Sequence, residues 1–252
     1  MTHPFNNKHL PFFLTAPSPC PYLPGRRERK IFTKLELGDG PELNDALTHA
    51  GFRRSQSILY RPACELCSAC KSARLPVNEF EWTKSHRRVL KRNQDVHGEV
   101  STPIATMEQY DLLSRYLNAR HKEGDMAGMD FYDYASMIED GAQRTDVVEY
   151  RRADKTLIAA VLIDNLKDGF SMVYSFFDPN EDKRSLGRFM ILDQILHAKA
   201  QQLPFIYLGY WVQGSAKMAY KAQYKPIEIL EPAGWRRLRD EERLEKEPPT
   251  IE

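Results

Sequence analysis

Residues 156–163, TLIAAVLI, and 170–177, FSMVYSFF, followed by 185–200, SLGRFMILDQILHAKA, decide how this chain folds. The first two are apolar runs of strand length, rich in branched and aromatic residues, and Lys167-Asp168-Gly169 between them is turn chemistry. In the third the period changes. Phe189, Met190, Leu192, Ile195 and Leu196 recur at helical spacing, which predicts a helix over Ser185–Ala200.

Working outward, Val147–Arg151 reads as a preceding strand, set off by Ala153-Asp154. Phe205–Leu208 is a strand after the helix, Ala216–Ala222 a short helix and Ile227–Leu230 a final strand. Upstream, Leu112, Leu113, Tyr116 and Leu117 place a helix over Met107–His121. The order is helix, antiparallel strands, helix, strand, helix, strand. That predicts an α+β fold whose second half is an N-acetyltransferase-like mixed sheet with flanking helices, preceded by a small cysteine-containing α/β domain.

The first hundred residues read differently. Residues 1–30 are Pro-rich and irregular, ending in Arg26, Arg27, Arg29 and Lys30. Ile31–Leu37 alternates as a strand, and Leu43–Ala50 is a short helix closed by Gly51. Phe52–Tyr60 reads as one strand carrying Arg53 and Arg54. The segment Tyr60–Cys70, YRPACELCSAC, reads as a loop, since Pro62 interrupts regular structure. Thr83 caps a basic helix over Lys84–Asn93. The composition changes near residues 95–105. The expected division is 1–100 as an N-terminal domain, 101–238 as the acyltransferase-like domain, and 239–252 as a charged, disordered tail.

The 252 residues are 42% hydrophobic and 28% charged, the balance of a folded chain rather than a disordered one. No apolar run is long enough to span a membrane, and the N-terminus lacks the pattern of a signal peptide. A cytoplasmic location is the expectation. The net charge of +1 hides an asymmetry: residues 1–100 hold 16 Lys/Arg against 10 Asp/Glu, and the remainder 20 against 25. A basic first part suits a phosphate-rich partner. Cys20, Cys64, Cys67 and Cys70 are expected as reduced thiols or metal ligands. Three thiols at Cys-x-x-Cys-x-x-Cys spacing, with Cys20 as a fourth, leave zinc, an iron–sulfur cluster and plain thiols all open.

A coenzyme A-dependent acetyltransferase carries a Gly-rich loop at the start of the helix after its central strand. Here that place reads Arg184-Ser185-Leu186-Gly187-Arg188-Phe189, with a bulky Phe where a small residue belongs. The scaffold looks like that of an acetyltransferase with a degraded coenzyme A loop, and such a scaffold can still serve acyl transfer from another donor.

Gly51–Cys64, GFRRSQSILYRPAC, resembles the N-terminal part of the arginyl-tRNA–protein transferase family, as do Arg74–Val77 and Ser85–Asn93. Tyr174–Asp178, Arg184–Gly187, Tyr207–Trp211 and Met218–Lys221 resemble its C-terminal part, so the resemblance runs in order over residues 17–237. Eukaryotic members carry Cys-Gly-Tyr-Cys where this chain has Cys20-Pro-Tyr-Leu23, so their metal chemistry is not carried over. The resemblance is to the compact bacterial branch. It implies leucine transfer from leucyl-tRNA to proteins that begin with Asp or Glu, marking them for degradation. An arginyl donor and a small-molecule N-acetyltransferase are the alternatives.

The implied reaction is aminolysis of an ester and requires no cofactor. An α-amine has a pKa of about 8, so a useful fraction is already neutral, and the site must chiefly align amine and ester. Tyr174, Asp178, Tyr210 and Lys221 are the candidate catalytic residues. Arg54, Tyr60, Arg61, Arg184 and Ser185 are candidates for the substrate, because a carboxylate is best met by a guanidinium. Arg26, Arg27, Lys84, Arg87, Arg88, Lys91 and Arg92 are candidates for tRNA phosphates. The expected partners are aminoacyl-tRNA and acidic-N-terminus proteins, with no membrane.

Overall fold

The computed structural model describes residues 10–35, 40–121, 126–140 and 144–244. The first part holds strands β1 (Phe13–Leu14), β2 (Ser18–Pro19), β3 (Arg27–Glu28) and β4 (Lys30–Lys34), helix α1 (Gly40–His49), then β5 (Arg53–Ser55), β6 (Ile58–Pro62) and β7 (Cys70–Pro76). Next come α2 (Lys84–Arg92), β8 (Val96–Ser101), α3 (Met107–Arg120) and α4 (Phe131–Glu139). The rest is β9 (Thr145–Arg152), β10 (Leu157–Leu166), β11 (Gly169–Phe177), α5 (Leu186–Ala200), β12 (Phe205–Val212), β13 (Glu228–Glu231), β14 (Gly234–Arg237) and α6 (Asp240–Leu244).

Among the described residues the strands form an eight-stranded mixed sheet, ordered β14-β13-β7-β12-β11-β10-β9-β8, and a four-stranded one, β1-β4-β6-β5. A two-stranded ladder joins β2 and β3. The strands β9, β10 and β11 form an antiparallel meander. Helix α5 then crosses over so that β12 lies parallel to β11. This is the expected α+β class and the expected element order. One core forms between the large sheet and α2 with α5, including Val89, Phe170, Phe189, Leu192 and Ile195. A second forms on the opposite face under α3 and α4, with Leu112, Leu113, Tyr134 and Phe176.

Local chemistry explains the well-read elements. Thr83 closes the α2 start as a capping box with His86, and Thr106 and Gln109 do the same for α3. Gly51 follows α1 at φ 87°, a conformation that suits glycine. Three expectations change. Phe52–Tyr60 is a hairpin of two strands, β5 and β6, because Gln56 turns the chain at φ 52°. The cysteine loop ends at Cys70, where β7 begins. Strand β7 is inserted between β12 and β13, so the large sheet already contains residues 70–76 and 96–101. The division at residue 100 follows the change in surface charge and cuts through this sheet; the sheets part between β6 and β7. Finally, residues 240–244 of the expected tail form a helix whose buried Glu242 receives two hydrogen bonds from Arg236, at 2.7 and 2.9 Å. Residues 245–252 lie outside the described residues.

The small sheet is fastened to the large one by buried polar groups. Arg54 reaches Asp164 on β10 with two hydrogen bonds, Nε to Oδ2 at 2.7 Å and Nη2 to Oδ1 at 2.6 Å. Thr145 and Asn44 donate to the same carboxylate. Tyr210 on β12 donates its hydroxyl to Gly51 O and Tyr60 O, at 2.9 and 3.0 Å.

Candidate active site

The parallel strands β11 and β12 stay paired only from Gly169↔Phe205 to Ser171↔Tyr207. Beyond that they separate and leave a cleft in the middle of the sheet. Backbone carbonyls there must find partners other than a strand. Two cationic side chains supply them. Arg53 Nη2 donates to Met172 O at 2.8 Å, on the β11 side. Lys221 Nζ donates to Tyr210 O at 2.6 Å, on the β12 side.

Arg53 is present because successive residues on a strand face opposite ways. On β5, Arg54 points to Asp164 and Arg53 points into the cleft. Gly209 makes the room: it adopts φ 75°, and a Cβ there would lie 2.6 Å from Arg53 Cζ. One nitrogen of this guanidinium, Nη1, is buried without a hydrogen-bond partner. A buried donor of this kind is costly unless something accepts from it.

Lys221 comes from a short 3₁₀ turn, Ala219–Gln223, just after β12. It is 6% exposed. Burial pushes its ammonium down to about 7, and the Arg53 charge adds to that effect. The floor therefore carries a permanent cation beside a lysine that exchanges its proton near neutrality. Aromatic rings stand beside Lys221 and along the end of β11. The Lys221 Nζ lies 5.8 Å from the Tyr220 ring centre. Tyr116 packs on Phe177 at 5.0 Å, and Tyr174 lies beside Tyr116, its hydroxyl pushed upward by burial first and by that neighbour second.

Of the residues singled out by sequence, Lys221 and Tyr174 stand at this cleft, while Tyr210 gives it only a backbone carbonyl and turns its ring toward the cysteine loop and its hydroxyl to Gly51 O and Tyr60 O. Asp178 follows β11 at its rim and pairs with Arg115 at 3.5 Å. Tyr60 stands behind Tyr210, with ring centres 6.4 Å apart. Arg54 and Arg184 are engaged elsewhere. Arg54 is spent on Asp164, with both side chains 2% exposed. Arg184 grips Asp95 at 2.8 and 2.9 Å and Glu181 at 2.8 Å. Ser185 is left-handed at the start of α5 and makes no side-chain cap. Phe189 does not block that helix start, contrary to expectation: it turns inward and packs edge-on against Tyr150 at 5.6 Å. Arg53 was not singled out. The glycine inside a strand at Gly209 is the sequence signal that marks its close approach.

The basic residues divide into two groups. Lys84, Arg87, Arg88, Lys91 and Arg92 are exposed along α2, which leaves His86 and Val89 to face the core. Arg26, Arg27 and Arg61 instead line a cavity of about 730 Å³ beside the cysteine loop, together with Lys71 and Tyr210. Cys20, Cys64, Cys67 and Cys70 border it too, all as free thiols. Burial and the other three thiols push Cys70 up to about 12, and Cys64 Sγ donates to Arg29 O. Four thiols are a donor set that suits zinc or iron–sulfur. Among the described residues, however, no group of three or more His, Cys, Asp or Glu is placed to hold a metal ion. Also among those residues, no helix is long and apolar enough to cross a membrane.

Residues 18–88 match the family model described as arginine-tRNA-protein transferase, N terminus, and residues 108–231 match the one for its C terminus. The chain belongs to the arginine-tRNA-protein transferase family. Family members similar to it are named aspartate/glutamate leucyltransferase. The one from Maricaulis maris (strain MCS10) is 60% identical over 235 residues, which are 93% of this chain and 92% of that protein. The one from Caulobacter vibrioides (strain NA1000 / CB15N) is 53% identical, covering 98% of this chain and 91% of that protein. The one from Phenylobacterium zucineum (strain HLK1) is 55% identical, covering 93% of each. Among solved structures, the C-terminal domain of a putative lysylphosphatidylglycerol synthetase from Agrobacterium fabrum aligns at 15% identity and a TM-score of 0.47, over 77% of this chain and 66% of that one. FemX aligns at 8% identity and a TM-score of 0.42, over 71% of this chain and 62% of that one. The family match spans the cleft entirely: Arg53 lies in the N-terminal match, and β11, Gly209 and Lys221 lie in the C-terminal one.

Proposed function

We propose that the chain is an aminoacyltransferase that moves leucine from leucyl-tRNA to the α-amine of proteins beginning with Asp or Glu. The observation that carries this reading is the pair Arg53 and Lys221 in the cleft between β11 and β12, in a chain whose relatives bear the leucyltransferase name. The α-amine attacks the ester carbonyl, the ester C–O bond breaks, and the ribose oxygen leaves as a hydroxyl. The amine loses one proton as the peptide bond forms. Lys221, poised near neutrality, takes that proton and returns one to the ribose oxygen. The unpartnered Nη1 of Arg53 receives the acceptor's side-chain carboxylate. Tyr174 stands beside the cleft, Tyr210 anchors Lys221 through its backbone carbonyl, and Asp178 holds Arg115 at the rim. The exposed row on α2 meets the tRNA phosphates. The leucylated product is directed to degradation in the cytoplasm.

Supply of the purified protein with leucyl-tRNA, arginyl-tRNA or acetyl-CoA, each with a peptide beginning with Asp, tests the reading by mass spectrometry. The expected product carries one leucine on its α-amine. An arginine adduct in its place reassigns the donor, and an acetyl adduct removes the reading.

A further inference from the structure

Past the end of β11 lies a cluster of rings and cations that the reaction chemistry leaves unused. At the end of β11, Phe177 packs against Tyr116 of α3, with Arg120 Cζ 5.5 Å from its ring centre. His121 follows α3, its ring 5.4 Å from that of Tyr116. Burial first, then the charges of Lys217 and Arg120, hold the His121 imidazole below its usual range, which places all three groups within electrostatic reach. Tyr220 is 43% exposed and feels both Tyr116 and Arg53, so it links this rim to the floor of the cleft. Arg120, His121 and Lys217 are exposed. Lys217 Nζ makes a hydrogen bond to Pro21 O at 3.3 Å, which leaves its charge uncompensated by that bond.

Rings beside exposed cations are what a single-stranded nucleic acid requires: the bases stack and the phosphates meet the charges. We propose that Tyr116, Phe177 and Tyr220, with Arg120, His121 and Lys217, seat the unpaired 3′ end of the RNA donor. This rests on the aminoacyl-tRNA reading and adds the place where the terminal nucleotides lie. The position suits it. The ester must reach Lys221, and Tyr220 is the neighbour of Lys221 both in sequence and in space. On the other side, a Cβ on Gly187 of α5 would lie 3.3 Å from Phe177 Cε1. The 3₁₀ turn just before α5, Asp182–Arg184, in turn touches the end of the basic helix: Arg92 donates to Lys183 O, and Asn93 donates to Arg184 O at 2.9 Å. The cationic row on α2, the start of α5 and the ring cluster therefore follow one another toward the cleft.

The test uses a short fluorescein-labelled single-stranded RNA ending in CCA, with its binding followed by anisotropy over a salt series. The double variant Arg120→Glu, Lys217→Glu changes exposed positions, and thermal unfolding of the full chain checks that the fold is kept. It is expected to bind the RNA at least about tenfold more weakly, with a salt slope lower by about 0.7 for each phosphate no longer neutralised. Tyr220→Ala is expected to weaken binding about tenfold with the slope unchanged, because it removes stacking rather than charge. The KM for the acceptor peptide is expected to stay as it is in the double variant, while that for leucyl-tRNA rises. Binding within twofold of wild type in both variants overturns the inference, as does failure of the wild type to bind the RNA. If the wild type transfers leucine and both variants bind RNA normally, this inference fails and the leucyl reading stands. If the double variant loses RNA binding while the wild type transfers no leucine, the leucyl reading fails and the RNA seat stands.

Discussion

Replacement of Lys221 by Met is expected to lower leucine transfer by roughly 10²–10⁴-fold, the usual worth of a positioned proton carrier. The sign of the accompanying pH effect follows from burial. The Lys221 ammonium is held down to about 7, far below an ordinary lysine, so its neutral form dominates above that value. Only the neutral amine accepts a proton from the attacking nitrogen. In the wild type, kcat/KM therefore rises with pH through about 7, in addition to the rise as the acceptor amine loses its own proton at about 8. In Lys221→Met only the second rise remains. The variant also leaves Tyr210 O without its donor, a loss of about 1–3 kcal/mol of stability. A pH profile measured alongside thermal unfolding separates the two effects. A variant that folds and retains the lower inflection shows that Lys221 carries no proton in the reaction.

The second large effect concerns stability. Arg54→Ala is expected to destabilise the protein by about 3–5 kcal/mol, because it strands the Asp164 carboxylate in a site where both side chains are 2% exposed. For a chain of this size that is a fall in Tm of roughly 10 °C. Thr145 and Asn44 still donate to the carboxylate, but neither brings a charge. The double variant Arg54→Met, Asp164→Leu is expected to recover most of the loss, since a buried ion pair contributes little over a well-packed apolar pair. In whatever fraction of Arg54→Ala stays folded, the preference for acidic acceptors is expected to persist. Normal stability combined with loss of that preference would return Arg54 to the acceptor site.

The contrast between Arg53 and Arg54 shows how far this sequence can be read. A strand over these residues puts the two arginines on opposite faces, yet nothing local tells which face holds the cleft. The choice is made by Asp164, 110 residues away on β10, and by Gly209 on β12, which clears space for Arg53. Elements built on local rules were legible. Thr83 and its capping box announce α2, and the change of period from β11 to α5 needs no distant partner. The α5 face told where its core lies through Phe189, Met190, Leu192 and Ile195, all buried, whereas Leu196, read as part of that face, is 41% exposed. Strand β7 was not legible, because its place between β12 and β13 depends on pairing with residues more than 120 positions later. Its sequence, CKSARLP, has neither clean alternation nor a continuous apolar run. Of the candidate site, Lys221, Tyr174 and Tyr210 were singled out from segments that carry the family resemblance, while the cleft itself arises where two strands stop pairing, which no short motif records.

The central claim is that an acidic acceptor meets its donor in this cleft with its carboxylate on Arg53. The most direct measurement is the ratio of kcat/KM for a peptide beginning with Asp to that for the same peptide beginning with Asn, in the wild type and in Arg53→Gln. Removing a charged hydrogen-bonding partner from a buried site costs about 2–5 kcal/mol. The wild-type ratio is therefore expected to exceed roughly 30, and the ratio in Arg53→Gln to fall close to one. An Arg53→Gln protein that folds, transfers leucine and keeps the wild-type preference for Asp would contradict the account.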